Sequence, residues 1–305
     1  MIKINLQSKL QSARWFCTVI AIGFLLLPSG RIHAGVINTE YFIGVDGLST
    51  IGSGIYTGLS NPNAGRLTFL FAHPDEVQPS LSHYHSIGAY SYSGPADNPT
   101  INSTNANNRL PETFSGQSPL PLLSGSGIHS GRLFSQALPD LEYSNLQMHS
   151  TQSLNGFAAG TTEDFLFHSS GNRWSGALDG AMVGLQLVGI TSGLHIANEL
   201  GETILSSLND IYNLGWGNNL AFLPTFFTSD DAIGGIYSAS FRLVDLSGRF
   251  RESGVFNFDF QVSHQVSEPV TILLLFAGLI GILIVRRFDF SASTSTFRIN
   301  NMQVN

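Results

Sequence analysis

Residues 254–264, GVFNFDFQVSH, impose the tightest constraint on the fold. Phe256, Phe258, Phe260, Val262 and His264 alternate with Val255, Asn257, Asp259, Gln261 and Ser263. Successive side chains of a strand point to opposite faces, so this two-residue period describes a strand with one aromatic face to bury. Other runs read the same way. Residues 67–71 (LTFLF) follow a turn-forming cluster, Asn61-Pro62-Asn63-Ala64-Gly65, and residues 83–92 (HYHSIGAYSY) come next. Residues 163–168, 181–190 and 235–246 are similar. Residues 93–127 are dominated by Asn, Ser, Pro and Gly and read as a long loop or a loosely ordered insertion. One segment hints at a helix, residues 198–214, where Leu200, Ile204, Leu205, Leu208 and Ile211 share a side. The expected class is mainly β, a β-sandwich with long Asn/Ser/Pro/Gly-rich loops. No internal repeat is evident, and residues 36–266 have the length of one such domain or two small ones.

The two ends of the chain carry addresses. Lys3, Lys9 and Arg14 form a positive n-region, residues 15–27 an apolar h-region, and Ala34-Gly35 a cleavage point, so residues 1–34 read as a signal peptide. At the other end, residues 270–285 (VTILLLFAGLIGILIV) carry no charge and end at Arg286-Arg287. As a helix they would span about 24 Å, against a hydrocarbon core of about 30 Å, with Phe288 and snorkelling arginines extending the reach. The positive-inside bias keeps Arg286 and Arg287 cytoplasmic. Residues 36–266 are then an exported domain and residues 288–305 a polar cytoplasmic tail. The single cysteine, Cys17, lies in the h-region, so the exported domain has no disulfide, thiolate metal site or Cys nucleophile.

Ser267-Glu268-Pro269, the apolar run and Arg286-Arg287 together resemble the PEP-CTERM sorting signal, which implies recognition by an exosortase-type enzyme. Residues 267–287 would be that signal. Ser267 stands where the class has Pro, and the tail after Arg287 is longer than the class usually carries.

Lysine is absent after Lys9. Residues 36–266 hold seven arginines against nineteen Asp and Glu, about −12 in net charge. Such an acidic surface argues against nucleic acid or anionic lipid as partner and is compatible with cation binding.

Histidine carries the strongest chemical signal. Three fall within FAHPDEVQPSLSHYH: His73, His83 and His85. His83 and His85 share one face of a strand, with Cα atoms about 6.5–7 Å apart. If residues 67–71 and 83–92 form a hairpin, His73 comes opposite His83 or His85, and three imidazoles converge. Asp75 or Glu76 is near enough to add an oxygen donor, and His129, in the Gly-flanked GIHSG, is a plausible further ligand. Three imidazoles with a carboxylate or water suit Zn²⁺, and imidazole also accepts Cu²⁺ or Ni²⁺. The bland alternative is a His-X-His pair that is only polar strand surface. His149, His168, His195 and His264 read as surface or hydrogen-bonded core residues.

Ala72-His73-Pro74-Asp75-Glu76 also resembles the AHPDDE motif of zinc-dependent de-N-acetylases, with one Asp missing and without the alternating strand–helix pattern of that α/β fold. The chain has no Gly-X-Ser-X-Gly, P-loop or His-Glu-X-X-His. The pairs Glu163-Asp164 and Asp230-Asp231 are weak carboxylate candidates, and Trp174 and Trp216, among Gly and Asn, could stack on a sugar.

NPNAGRLTFLFAHPDE, SHYHSIGAYSYSGPA, NNRLPETFSGQSPL, SLNGFAAGTTEDFLFHSSGNRW and IYSASFRLVDLSGR together resemble a cyanobacterial family of PEP-CTERM proteins under the zinc-uptake regulator. That resemblance implies expression in zinc scarcity and zinc handling at the envelope. The expectation is an exported, membrane-anchored, non-enzymatic protein that captures or buffers a divalent metal, Zn²⁺ first, through His73, His83 and His85 with Asp75 and His129. The competing expectations are a metal-independent adhesion or carbohydrate-binding surface protein, and a metal-dependent hydrolase.

Overall fold

The computed structural model of the chain describes residues 41–263 and position 280. The segments read as signal peptide, sorting signal and tail lie, apart from position 280, outside the described residues. Among the described residues no helix is long and apolar enough to cross a membrane.

The first strands are β1 (Tyr41–Val45), β2 (Leu67–His73), β3 (His83–Ile87), β4 (Ser91–Ser93) and β5 (Thr100–Asn102). Then come β6 (Arg109–Leu110), β7 (Leu120–Ser124), β8 (Arg132–Ser135) and β9 (Met148–Ser150). Helix α1 (Thr162–Phe167) precedes β10 (Met182–Ile190), β11 (His195–Ala197), β12 (Thr203–Ile204) and β13 (Ile211–Trp216). The last are β14 (Ala221–Phe222), β15 (Thr225–Ser229), β16 (Gly235–Asp245) and β17 (Phe256–Val262). The protein is mainly β, as expected. One sheet has the order β14-β9-β1-β2-β3, and a ten-stranded sheet runs β12-β11-β15-β8-β7-β17-β16-β10-β13 with β6 also on β17. Strands β4 and β5 form a separate ribbon.

The alternating segment, β17, lies inside the larger sheet with Phe256, Phe258 and Phe260 fully buried. Its aromatic face meets the smaller sheet: Phe69 stacks on Phe256 with ring centroids 4.1 Å apart, and Tyr41 meets Phe258 edge-on at 5.8 Å. The two sheets thus close over one aromatic core, in which each buried Phe contributes about 2–3 kcal/mol. The larger sheet also curls on itself. Strands β15 and β17 are separated by β7 and β8, which in a flat sheet would put them about 14 Å apart. Yet the Phe226 ring lies 4.5 Å from Phe260 and 5.4 Å from Phe258. The sheet is therefore strongly bent, toward a barrel.

Four local expectations are corrected. Residues 163–168 are helical, not extended: Thr161 Oγ1 accepts from the Asp164 amide at 3.2 Å, and Glu163 and Asp164 fill the acid-favouring first turn. Residues 198–214 form β12, a turn and the start of β13 rather than a helix. Leu200, Leu208 and Ile211 are 76%, 59% and 44% exposed, so their spacing marks no buried face. Leu205 and Asn209 adopt φ of 53° and 70°, incompatible with a helix. Residues 83–92 break into β3 and β4 at Gly88 (φ 67°), where a Cβ would stand 2.3 Å from Val255 O. The segment 93–127, expected as a loop, carries β5, β6 and β7.

That segment also completes the site. Strands β2 and β3 form the expected hairpin, with His73 opposite His83 and Phe71 opposite His85. Strand β3 ends the sheet order, and its free edge is covered: Asn105 Nδ2 donates to Ser86 O at 3.1 Å and Gly88 N to Asn107 O at 2.9 Å. Two residues after β6 docks on β17, the chain delivers Glu112 to the hairpin.

Candidate metal centre

Phe69, Phe71 and His73 point to one face of β2. The two phenylalanines enter the core, and His73, at the strand end, emerges at its rim, 27% exposed at the side chain. His85, across from Phe71, points to the same face. His73 Nε2 lies 3.2 Å from His85 Nδ1 and 3.2 Å from Glu112 Oε2, and His85 Nδ1 lies 2.7 Å from Glu112 Oε1. One ligand atom from each of the three residues falls within 4.8 Å of the others. Zn²⁺ bonded at about 2.0–2.1 Å in a tetrahedron would hold neighbouring ligand atoms about 3.3 Å apart, close to the two separations of 3.2 Å made by His73 Nε2. His73, His85 and Glu112 could therefore hold a metal ion.

Glu112 is 5% exposed, yet its carboxyl stays ionised. Burial pushes it up, and hydrogen bonds from His73, Asn107 and His85, with the attraction of His85, outweigh that and bring it to about 2. Its backbone is fixed as well, since Glu112 O accepts from the Ser115 amide at 3.0 Å and hydroxyl at 2.7 Å. Asn107 Nδ2 donates to Oε1, and the Tyr143 hydroxyl donates to Oε2 at 3.1 Å. Tyr143 holds φ at 69°, a backbone state unusual for a bulky side chain. Its ring stacks on Phe71 at 4.4 Å and its carbonyl accepts from the Tyr41 hydroxyl at 2.9 Å. Burial, then the charges of Glu112 and Glu142, push the Tyr143 phenol well up, so it remains a neutral donor to the carboxylate. Glu142 Oε1 lies 3.5 Å from His73 Nδ1. The group opens into a cavity of about 740 Å³ that Phe114, Glu142 and Tyr143 also line. Three protein ligands leave a coordination position for water or an exchanging ligand.

The other nominated residues are placed elsewhere. His83 is exposed and stands beyond His85, with their Nε2 atoms 3.2 Å apart. Asp75 Oδ1 caps the hairpin loop, accepting from the amides of Val77 at 3.0 Å and Gln78 at 2.7 Å. His129 lies in the β7–β8 turn, stacked on Phe134, and lines a different cavity. His149 pairs within β9, His168 caps α1, His195 stacks on Phe227, and His264 lies outside the described residues. Glu163 and Asp164 are first-turn residues of α1. Trp174 is buried at 2% exposure and cannot face a sugar, whereas Trp216 is exposed.

Glu112, a candidate ligand, and Glu142, which flanks His73, are the carboxylates that the sequence does not announce. Glu112 is one of only two acids in residues 93–127, the other being Asp97. That scarcity is the available signal, but only the parallel pairing of β6 with β17 shows where it goes.

No protein-family model, curated protein or solved structure matches this chain.

Proposed function

We propose that this chain is an envelope protein that captures or buffers a divalent d-block metal, Zn²⁺ first, without catalysing a reaction. The observation that carries the reading is the convergence of His73, His85 and Glu112 with ligand atoms within 4.8 Å of one another. Two imidazoles and a carboxylate are borderline-soft donors that suit Zn²⁺ better than Ca²⁺ or Mg²⁺. Partial exposure gives an ion access, and the buried Glu112 supplies a fixed negative charge. The de-N-acetylase-like reading loses support, since Asp75 is engaged by backbone amides and the fold is mainly β. The envelope location rests on the signal-peptide pattern and the PEP-CTERM-like segment, with an exosortase-type enzyme as the expected partner, and the role under zinc scarcity on the family resemblance.

Zinc titration of the full chain against a chromophoric chelator tests the reading. Wild type should bind one equivalent and His73→Ala/His85→Ala none at comparable affinity. Equal binding in both would sink the site. No binding by wild type would favour the metal-independent adhesion reading.

A further inference from the structure

We infer that His83 is a positioning residue that accepts the Nε2 proton of a metal-bound His85, holding the ring so that it ligates the metal through Nδ1. The inference rests on the metal reading above and assigns His83 outside the coordination sphere. It follows from which atoms can donate. Leu81 O is a carbonyl and only accepts, so its 2.8 Å contact with His83 Nδ1 places the proton of neutral His83 on Nδ1. His83 Nε2 is then a bare lone pair facing His85 Nε2 at 3.2 Å. Two bare lone pairs at that distance repel, so His85 Nε2 carries a proton and donates it. The ionised Glu112 carboxylate only accepts, so in the metal-free protein His85 Nδ1 donates to Oε1 at 2.7 Å; an ion beside His73 Nε2 takes the place of that Nδ1 proton, while the Nε2 proton stays donated to His83. The result is one chain from backbone to metal: Leu81 carbonyl, His83, His85, ion. Metal-bound histidines characteristically hand their second nitrogen to such a partner.

The loop is built to hold the start of that chain. Pro79 opens the single 3-10 turn Pro79–Leu81, and the Ser82 amide returns to Pro79 O at 3.0 Å. Asp75 Oδ1 gathers the Val77 and Gln78 amides, and Ser82 Oγ accepts from the Asp75 amide at 2.9 Å. Asp75, read from the sequence as an oxygen ligand, serves here to set the carbonyl that orients His83. On the other ligand Glu142 Oε1 stands 3.5 Å from His73 Nδ1, leaving His73 Nε2 for the ion. A direct role for His83 would require an ion between the two Nε2 atoms, on the far side of the His85 ring from Glu112. That would be a second metal position.

The experiment uses the full chain with ¹⁵N-labelled histidine, titrated with Zn²⁺, in wild type, His83→Gln and His83→Leu. Long-range ¹H–¹⁵N correlation reads which nitrogen of each histidine is protonated and which is metal-bound. The expected result is one zinc in every form, on Nδ1 of His85 with the proton on Nε2. His83→Leu should bind about 10- to 100-fold more weakly, with mixed His85 tautomers. His83→Gln, whose carbonyl can accept from His85, should recover most of the affinity. Zinc on a His83 nitrogen, a second equivalent lost in either variant, or a His83→Leu affinity equal to wild type would overturn the inference and leave the metal function standing. No zinc on wild type would remove the metal function itself.

Discussion

Glu112→Gln is the sharpest perturbation, because it keeps shape and removes charge at the one site residue that is nearly inaccessible. In the metal-free protein its carboxyl falls from 4.5 to about 2, and at about 1.36 kcal/mol per pH unit this is about 3 kcal/mol in favour of the ionised form. A folded value below the unfolded one means stability that is present above about pH 4.5 and lost as pH falls toward about 2. Gln imitates the neutral acid. Chemical denaturation should therefore find the variant about 3 kcal/mol less stable at pH 7, with the gap closing below pH 4.5. With metal, the loss is of a direct anionic ligand and should exceed the 10- to 100-fold typical of outer partners, about 2.8 kcal/mol or more at 1.4 kcal/mol per tenfold. Asp75→Asn, which keeps the loop cap, and His129→Ala should stay within about threefold of wild type by chelator competition, well under 1.4 kcal/mol. The reasoning fails if Glu112→Gln binds zinc within that same margin, or if Asp75→Asn or His129→Ala loses as much as it does.

Burial pushes His149 down, so its stabilising neutral state is complete above about pH 6.5 and is lost as pH falls below it. Wild type should lose stability relative to His149→Gln between pH 7.5 and 5; parallel denaturation profiles would contradict this. Phe258→Ala, at the contact of both sheets, should cost about 3–5 kcal/mol, whereas Ile236→Ala, 60% exposed on β16, should stay within about 0.5 kcal/mol. Thr161→Ala should cost about 1 kcal/mol in the same assay by removing the α1 cap. Deleting residues 267–305 should move the protein from the membrane fraction to the soluble exported fraction, and unchanged fractionation would remove the anchor reading.

The strands that the sequence announced were those in which period and composition agree. Residues 254–264 and 235–246 give β17 and β16 nearly end to end, because alternating burial leaves one register that hides every phenylalanine. The His73/His83 hairpin was legible for the same reason: a short loop between two apolar runs leaves few ways to pair. Failures came where local chemistry competes with pattern. At residues 163–168 a Thr cap and two first-turn acids outweighed β-like composition, and at 198–214 Leu205 and Asn209 turn the chain in conformations that spacing does not report. The candidate metal donors divide likewise. His73 and His85 are neighbours through one hairpin, but Glu112 reaches them only because β6 docks on β17, a partner 148 residues away in the Leu110–Phe258 pair.

The donor spacings also bear on which metal the proposed site would prefer. Square-planar coordination, which suits Cu²⁺ and Ni²⁺, sets neighbouring ligand atoms about 2.9 Å apart for bonds near 2.0 Å, whereas a tetrahedron sets them about 3.3 Å apart. His73 Nε2 lies 3.2 Å from both His85 Nδ1 and Glu112 Oε2, whereas the 2.7 Å separation runs from His85 Nδ1 to the other carboxylate oxygen, Oε1, and is a charge-assisted contact that an ion would replace. The neighbours resist flattening: Glu112 is gripped by Asn107 and Tyr143, and β3 is sealed along its edge by Asn105. Under the proposed zinc reading these donors would take four-coordinate Zn²⁺ geometry, although Cu²⁺ is intrinsically the stronger binder to nitrogen donors. Substitution by Co²⁺, which reports its geometry in visible absorption, should give the intense bands of a tetrahedral centre, displaced by one equivalent of Zn²⁺. Weak octahedral absorption would mean that water, rather than His73, His85 and Glu112, sets the coordination sphere, and the preference for zinc would lose its basis.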